Sequence, residues 1–424
     1  MKFLSSTGFA LFGAMLIALS FGLARFAFGL FVPPIRAELE LTPDIIGIIG
    51  ALPLISFVLA TLVAPVSADR LGARYTALIS CGFGVLGLAL ISQASTPLTL
   101  GIGVFACGIC TGLMMPALTA AMQVVVDRSV HGRVSSVMNA GTSIGLVIAA
   151  PTVLFMTDAW RYAYLSFTAV AVVSVVATWF FIPSVSRIMP SNAAPPSPIS
   201  ALQWWRLLRL SLFGFAMGFV ASAYWLFAPD LVVSIGALSS ADTGWLWFAV
   251  GIAGLGGALI SDLADRNNPP ITHALMLVAM AASLALLAAS PGQLGIAIFS
   301  AMVFGLSYMS LTGLYLMTGI RLLPGRMSMG PVLPFLACAL GQAAGSPLVG
   351  LLVNEYGYAD AFAMFAAIGI LVAIVSPLYP RYLESEPEET VAEEATGLQA
   401  AFDHQLLGED GEPFEPAAED NPAS

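Results

Sequence analysis

Ala68-Asp69-Arg70-Leu71-Gly72-Ala73-Arg74 is a short charged break between two long apolar runs, residues 44–66 and 75–95. A helix needs roughly 20 apolar residues to cross about 30 Å of hydrocarbon, so each run is long enough for one crossing. A break this short turns the chain straight back, which makes the two crossings antiparallel neighbours. The same Asp-Arg pair stands again at Asp265-Arg266, offset by 196 positions.

Outward from that break, Pro, Gly and charge mark off ten further apolar runs: 8–32, 98–124, 134–157, 162–182, 206–233, 243–262, 271–290, 293–319, 330–353 and 358–380. Twelve runs predict an all-α polytopic membrane protein with twelve transmembrane helices. Composition agrees. Of 424 residues, 58% are hydrophobic and 9% charged, where a soluble domain carries about 25% charged residues. A water-solvated globule is excluded. The formal net charge of -10 is misleading, because thirteen of the 25 acids lie from Glu384 onward. The first 383 residues hold the other 12 acids against all 15 Lys and Arg. This slightly basic apolar body implies a lipid bilayer as its surroundings and no nucleic-acid partner.

One connection is long: residues 183–203, rich in Pro and Ser, cannot bury enough apolar surface to order themselves. It splits the chain into an N-terminal six-helix half (1–182), a cytoplasmic linker (183–205) and a C-terminal six-helix half (206–380). A disordered acidic cytoplasmic tail (381–424) follows. With the N-terminus inside, twelve Lys and Arg face the cytoplasm and two, Arg36 and Arg161, face outward. That bias predicts a multi-pass protein of the bacterial inner membrane with both termini cytoplasmic. Trp204, Trp205, Arg206 and Arg209 are expected to anchor the seventh helix at the interface. The first apolar run extends to Val32, longer than a signal-peptide core, and no small-x-small cleavage site follows. It is expected to remain as the first helix.

The halves repeat at the same offset. Leu30-Phe-Val-Pro33 matches Leu226-Phe-Ala-Pro229, Gly145 matches Gly341, and Pro151 matches Pro347. Duplicated halves imply a pseudo-twofold axis along the membrane normal, with a cavity between halves that rock against each other. Alternating-access transport is the function such a geometry serves.

At this point the chain resembles a family. Asp69-Arg70-Leu-Gly72-Ala-Arg74 is similar to the loop signature between the second and third helices of the major facilitator superfamily. Ser261-Asp-Leu-Ala-Asp265-Arg266 resembles its second-half copy. Pro65 stands where the signature opens with Gly, and Ala73 replaces the first residue of its closing basic pair. Gly22-Leu-Ala-Arg25-Phe-Ala-Phe-Gly29-Leu-Phe-Val-Pro33 looks like the first helix of bacterial members near the cyanate-permease-like branch. The resemblance covers residues 8–380. It implies that Asp69, Arg70, Gly72, Arg74, Asp127, Asp265 and Arg266 form a conformational gate, with Asp69 facing the start of the eleventh helix near Gly330. An Arg74–Asp127 pair is weakened by Ala73. The alternative is that these charges only anchor the loop at the cytoplasmic face.

Gly141-x-x-x-Gly145-x-x-x-Ala149-Ala-Pro151 and Gly341-x-x-x-Gly345-Ser-Pro347 are small-x-x-x-small faces that let helices approach closely. They read as packing and hinge surfaces between the halves.

By the resemblance, the first, fourth, seventh and tenth helices line the cavity. Their candidate substrate-binding residues are Arg25, Gln123, Tyr224 and Tyr308. Tyr224 with Trp225 has the alternative of an interfacial aromatic pair, and Gln123 that of a solvated helix end. No acid falls in the middle of a run, and Asp230 lies near the outer end of the seventh. Arg25 sits about two turns from the outer end of the first run at 1.5 Å per residue. It has three readings: snorkelling to the outer headgroups, pairing with Asp230, or binding an anion with its fork of donors. The last is adopted here. The expectation is a secondary active transporter of a small organic or inorganic anion. Efflux of amphipathic compounds is the alternative, and a non-transporting membrane sensor a further one.

No clustered catalytic groups appear, so no enzyme is expected. Cys107-x-x-Cys110 lies within an apolar run and reads as helix packing. His131, His273 and His404 are scattered. No metal or cofactor is expected, the coupling ion is unassigned, and a monomer is expected.

Overall fold

The structure, a computed structural model, describes residues 5–156, 159–184, 199–323 and 329–380. The acidic tail and most of the linker lie outside the described residues. So do the side chains of 128, 258–267 and 329. Among the described residues every regular element is helical. In bilayer hydrocarbon each backbone N–H and C=O must be satisfied within its own segment, which a helix does and an open strand does not.

We label the long helices α1 (Ser6–Leu39), α2 (Pro43–Leu71), α3 (Ala73–Ser92), α4 (Pro97–Val125), α5 (His131–Met156) and α6 (Trp160–Phe181). The second set is α7 (Ala201–Ser234), α8 (Thr243–Asn267), α9 (Pro269–Ala289), α10 (Leu294–Leu322), α11 (Met329–Tyr356) and α12 (Tyr358–Ile374). Ten are long and apolar enough to cross a membrane, while α12 and the apolar part of α8, Thr243–Gly257, are shorter. The described residues form one compact unit.

Packing repeats with the sequence. In the first half α1 packs on α5, α2 on α4, and α3 on α4 and α6. Six helices later α7 packs on α11, α8 on α10, and α9 on α10 and α12. The two main contacts between halves, α2 with α11 and α5 with α8, exchange under the same shift of six. This is the twofold relation that the offset of 196 implies.

Two boundaries differ from the sequence reading. Pro33 and Pro34 lie inside α1, which runs on to Leu39 and stops where Glu40 turns left-handed at φ 51°. Neighbouring helices tolerate proline in a membrane helix by satisfying the freed carbonyls. The seventh helix starts at Ala201, earlier than expected, because Ser200 and Gln203 form a reciprocal capping box. Trp204 and Trp205 therefore sit exposed on its first turns. Between α2 and α3, Gly72 holds φ 85° and caps both helices. A side chain there would be strained.

The small-residue faces pack helices, but within halves. A Cβ on Gly141 would lie 2.2 Å from the Ala14 carbonyl oxygen, and one on Gly145 2.5 Å from that of Ala18. Both seat α5 on α1. Gly341 and Gly345 likewise seat α11 on α7, against the Phe215 and Phe219 carbonyls. The expectation of an inter-half surface is corrected for these four. The close approaches between halves are made instead by other glycines, Gly29 on the Trp225 carbonyl and Gly47 on that of Ser346. Pro151 is exposed, and Pro347 alone of the six faces the other half, against Gly47 of α2.

Candidate functional site

Residues Ala18–Phe26 of α1 wind as a π-helix within an otherwise α-helical span. Such widened turns occur often at functional sites. Here the segment ends in Arg25, which is 7% exposed. Leu39 is fourteen residues beyond it, about 21 Å along the helix, so the two-turn distance is corrected, and the buried side chain lies inside the bundle. The pairing with Asp230 is not found either, because that carboxylate is held by Arg36. Instead the Arg25 guanidinium carbon lies 4.9 Å from the centre of the Phe26 ring, 5.0 Å from Phe57 and 5.9 Å from Phe21. No acceptor for its N–H donors is found among the described residues. A buried cation is costly unless something pairs with it.

Arg25 lines a cavity of about 40 Å³ where α1, α2, α7 and α11 meet. Phe26, Pro53, Leu54, Ser222, Trp225, Gln342 and Ser346 contribute to its wall. The Trp225 ring stacks near Phe26 at 4.3 Å and meets Phe304 and Tyr308 edge-on. Its Nε1–H is buried with no hydrogen-bond acceptor among the described residues. Gln342 donates from Nε2 to the Tyr308 hydroxyl at 2.7 Å. Tyr308 thus stands behind the wall and braces it.

The other expected ligands lie elsewhere. Tyr224 is fully buried, stacked on Phe304 at 4.0 Å and hydrogen-bonded to Ser300 at 3.2 Å. One residue along a helix is a turn of about 100°, which puts Trp225 on the cavity side. Gln123 is exposed near the end of α4, away from the cavity. Trp225 was weighed only together with Tyr224, and Gln342, Ser222 and Ser346 are the polar wall residues that sequence reasoning did not name. The α11 contribution follows from its packing across α2, which no single-helix pattern reveals.

At the loop between α2 and α3, Asp69 and Arg70 are exposed and make no hydrogen bond or ion pair to described residues. Arg74 is buried and donates from Nε to the Ile182 carbonyl at 2.6 Å, with Trp179 beside it. Asp127 accepts from the backbone N–H and hydroxyl of Ser129. Those bonds hold its carboxyl below the usual carboxylate range. The expected Arg74–Asp127 pair is not formed. Asp265 and Arg266 are among the residues whose side chains lie outside those described.

A second constellation escaped the sequence reading. Arg36 of α1 meets Asp230 of α7 at 3.0 Å and donates to Tyr358 of α12 at 2.8 Å and to the Leu41 carbonyl at 3.1 Å. Tyr358 also donates to Asp230. Arg161, the other of the two Arg expected on the outer side, pairs with Glu38 at 2.8 Å. A usable signal existed: the two basic residues that oppose the charge bias are the two that form ion pairs among the described residues.

The ion pair belongs to a broader closure. Gly29 packs on the Trp225 carbonyl, Gly47 on Ser346, Gly350 on Pro43, and Gly244 and Gly251 on α5. Trp247 donates to the Phe26 carbonyl at 3.2 Å, and Phe57 meets Phe335 at 5.8 Å. The Gly47, Gly350 and Arg36 contacts lie toward the ends bearing Leu39, Pro43 and Tyr356, while Phe57 and Phe335 meet deeper in the bundle. The molecule is closed there.

A family model described as Major Facilitator Superfamily matches residues 14–329. A Bacillus subtilis protein described as the uncharacterized transporter YycB is 25% identical over 262 residues, 60% of this chain and 63% of that protein. A Pseudomonas aeruginosa protein described as the transcription regulatory protein OpdE is 24% identical over 280 residues, covering 64% and 68%. Among solved structures, the nucleoside transporter NupG aligns over 88% of this chain and 100% of its own with a TM-score of 0.71 at 15% identity. A POT family transporter in complex with 5-aminolevulinic acid aligns over 88% and 96%, at 0.73 and 11%. A bacterial homologue of the lysosomal transporter Spinster, in an inward-facing and unoccupied conformation, aligns over 90% and 99%, at 0.71 and 13%. Likenesses this distant in sequence show the fold.

Proposed function

The chain belongs to the major facilitator superfamily of membrane transporters, and we propose that it carries a small organic or inorganic anion by alternating access. One observation carries the substrate reading: Arg25 is a buried cation, without an anionic partner among the described residues, on the wall of a cavity between the halves. A guanidinium fork matches a carboxylate or similar oxyanion with two parallel N–H donors. On the orientation expected from the charge bias, the closed end faces the periplasm. The Arg36–Asp230 pair then acts as a latch that breaks when the outer side opens. Asp69, Arg70, Gly72 and Arg74, with Asp265 and Arg266, are proposed to serve the opposite gate. The bacterial inner membrane as location, cytoplasmic termini and a monomeric state belong to the same proposal.

Arg25→Lys tests it. An ammonium keeps the charge but loses the planar fork, so binding of small anions to the purified protein should fall by about tenfold or more. Unchanged affinity overturns the anion assignment. Binding of cationic dyes in its place would favour efflux of amphipathic compounds, which the aromatic wall accommodates.

The likeness to a relative described as a transcription regulatory protein favours a second reading, a membrane sensor. A chain ending at Pro380 that keeps full transport argues against a signalling tail. Loss of transport at unchanged membrane abundance argues for one.

A further inference from the structure

Resting on the assignment of Arg25 to anion binding, we infer that the site takes a singly charged, planar oxyanion with a head of about carboxylate size, and that Trp225 donates the hydrogen bond that selects it. Four observations converge on this.

The first is charge. Arg25 is the sole charged residue among those lining the cavity. Asp230, the nearest acid by sequence on α7, is occupied by Arg36 and Tyr358. One cation neutralises one anionic charge. A dianion would bring an uncompensated charge into a low-dielectric wall.

The second is the balance of donors and acceptors. Ser222 commits its hydroxyl hydrogen to the Phe219 carbonyl at 2.7 Å, and Ser346 commits its own to the Gln342 carbonyl at 2.8 Å. Gln342 commits an amide hydrogen to Tyr308. Three phenyl rings crowd the Arg25 guanidinium and offer it no acceptor. Gln342 also turns its amide nitrogen toward the Cys338 sulfur at 3.6 Å, so the donors left uncommitted among the described lining residues are the Arg25 fork and the buried Trp225 Nε1–H. A site rich in uncommitted donors suits an acceptor-only ligand, not a cation.

The third is number. A carboxylate offers about four lone-pair sites. Two accept the fork and one accepts Trp225. The fourth observation is room: about 40 Å³ is more than the roughly 10–15 Å³ a single water needs and admits a small group. A carboxylate head or a small trigonal inorganic oxyanion is a group of that small size.

Calorimetric titration of the purified full-length chain with acetate, nitrate, malonate and chloride tests the inference. Acetate or nitrate should bind, the stronger of the two identifying an organic or an inorganic head. Malonate and chloride should bind about tenfold more weakly or not at all. Trp225→Phe keeps a ring and removes the N–H, so affinity for the preferred anion should fall about tenfold. If Arg25→Lys abolishes binding while Trp225→Phe stays within about twofold, this inference fails and the Arg25 assignment stands. If Arg25→Lys binds normally, both fail. Malonate or chloride binding as tightly as acetate, or no monoanion binding at millimolar concentration, also overturns it. Should Trp225→Phe not fold, the indole N–H resonances of the seven Trp in the unmodified protein decide. One should move downfield with the bound anion, and no movement overturns the assignment.

Discussion

Replacing Asp230 by Asn should loosen the closed end of the molecule. Asp230 is 2% exposed and accepts from Arg36 at 3.0 Å, from Tyr358 and, at 3.4 Å, from Ser234. Asn keeps the shape and one acceptor oxygen but removes the charge that Arg36 faces. Removing one partner of a fully buried pair costs about 3–5 kcal/mol. The Arg36 side chain is 28% exposed, so solvent recovers part of that loss, and about 2 kcal/mol is the expected change, the middle of the range for a hydrogen bond to a charged group. At about 1.4 kcal/mol per tenfold, the ratio of closed to open forms at this end falls roughly thirtyfold. Because the pair exists only while this end is closed, the whole effect falls on that equilibrium. The assay is labelling of a cysteine placed at Ser222, on the cavity wall, by a membrane-impermeant thiol reagent added from the side of the α1–α2 loop. The four native cysteines are buried, which keeps the background low. Labelling should speed up in Asp230→Asn and in Arg36→Met, and the double variant should match the singles. An unchanged rate in a folded Asp230→Asn protein, or fully additive effects, would refute the latch.

Gly341→Val should reduce folded yield and lower the melting temperature in detergent, because a Cβ there lies 1.9 Å from the Phe215 carbonyl oxygen. Overpacking of this kind costs about 1–3 kcal/mol or more, and wild-type stability would show that α7 and α11 can separate freely. Asp69→Asn should fold normally and alter thiol accessibility at the end opposite the latch; no change would reduce Asp69 to a surface anchor. Reporter fusions at Asn192 and after Arg381 should both read cytoplasmic, and a periplasmic signal from either contradicts the charge-bias topology.

The membrane class, the order of the helices and the twofold repeat were legible in the sequence alone. Hydropathy and duplication are local or translational patterns: an apolar run of fixed length, and four matches at one offset, need no knowledge of what touches what. The small-residue faces were legible as packing surfaces for the same reason, although their partners were not. Arg25 could be picked out because a charge inside an apolar run is expensive wherever the run packs. Its depth could not. That depended on whether Pro33 and Pro34 end α1, which neighbouring helices decide by satisfying the freed backbone groups. Which of Tyr224 and Trp225 faces the cavity depended on the rotation of α7 about its axis, set by Phe304 and Ser300 on the neighbouring α10. The latch needed tertiary structure most, since Arg36, Asp230 and Tyr358 come from three helices in two halves. Electrostatic pairing acts through space over a few ångströms, and only the packed bundle brings those three side chains within that distance.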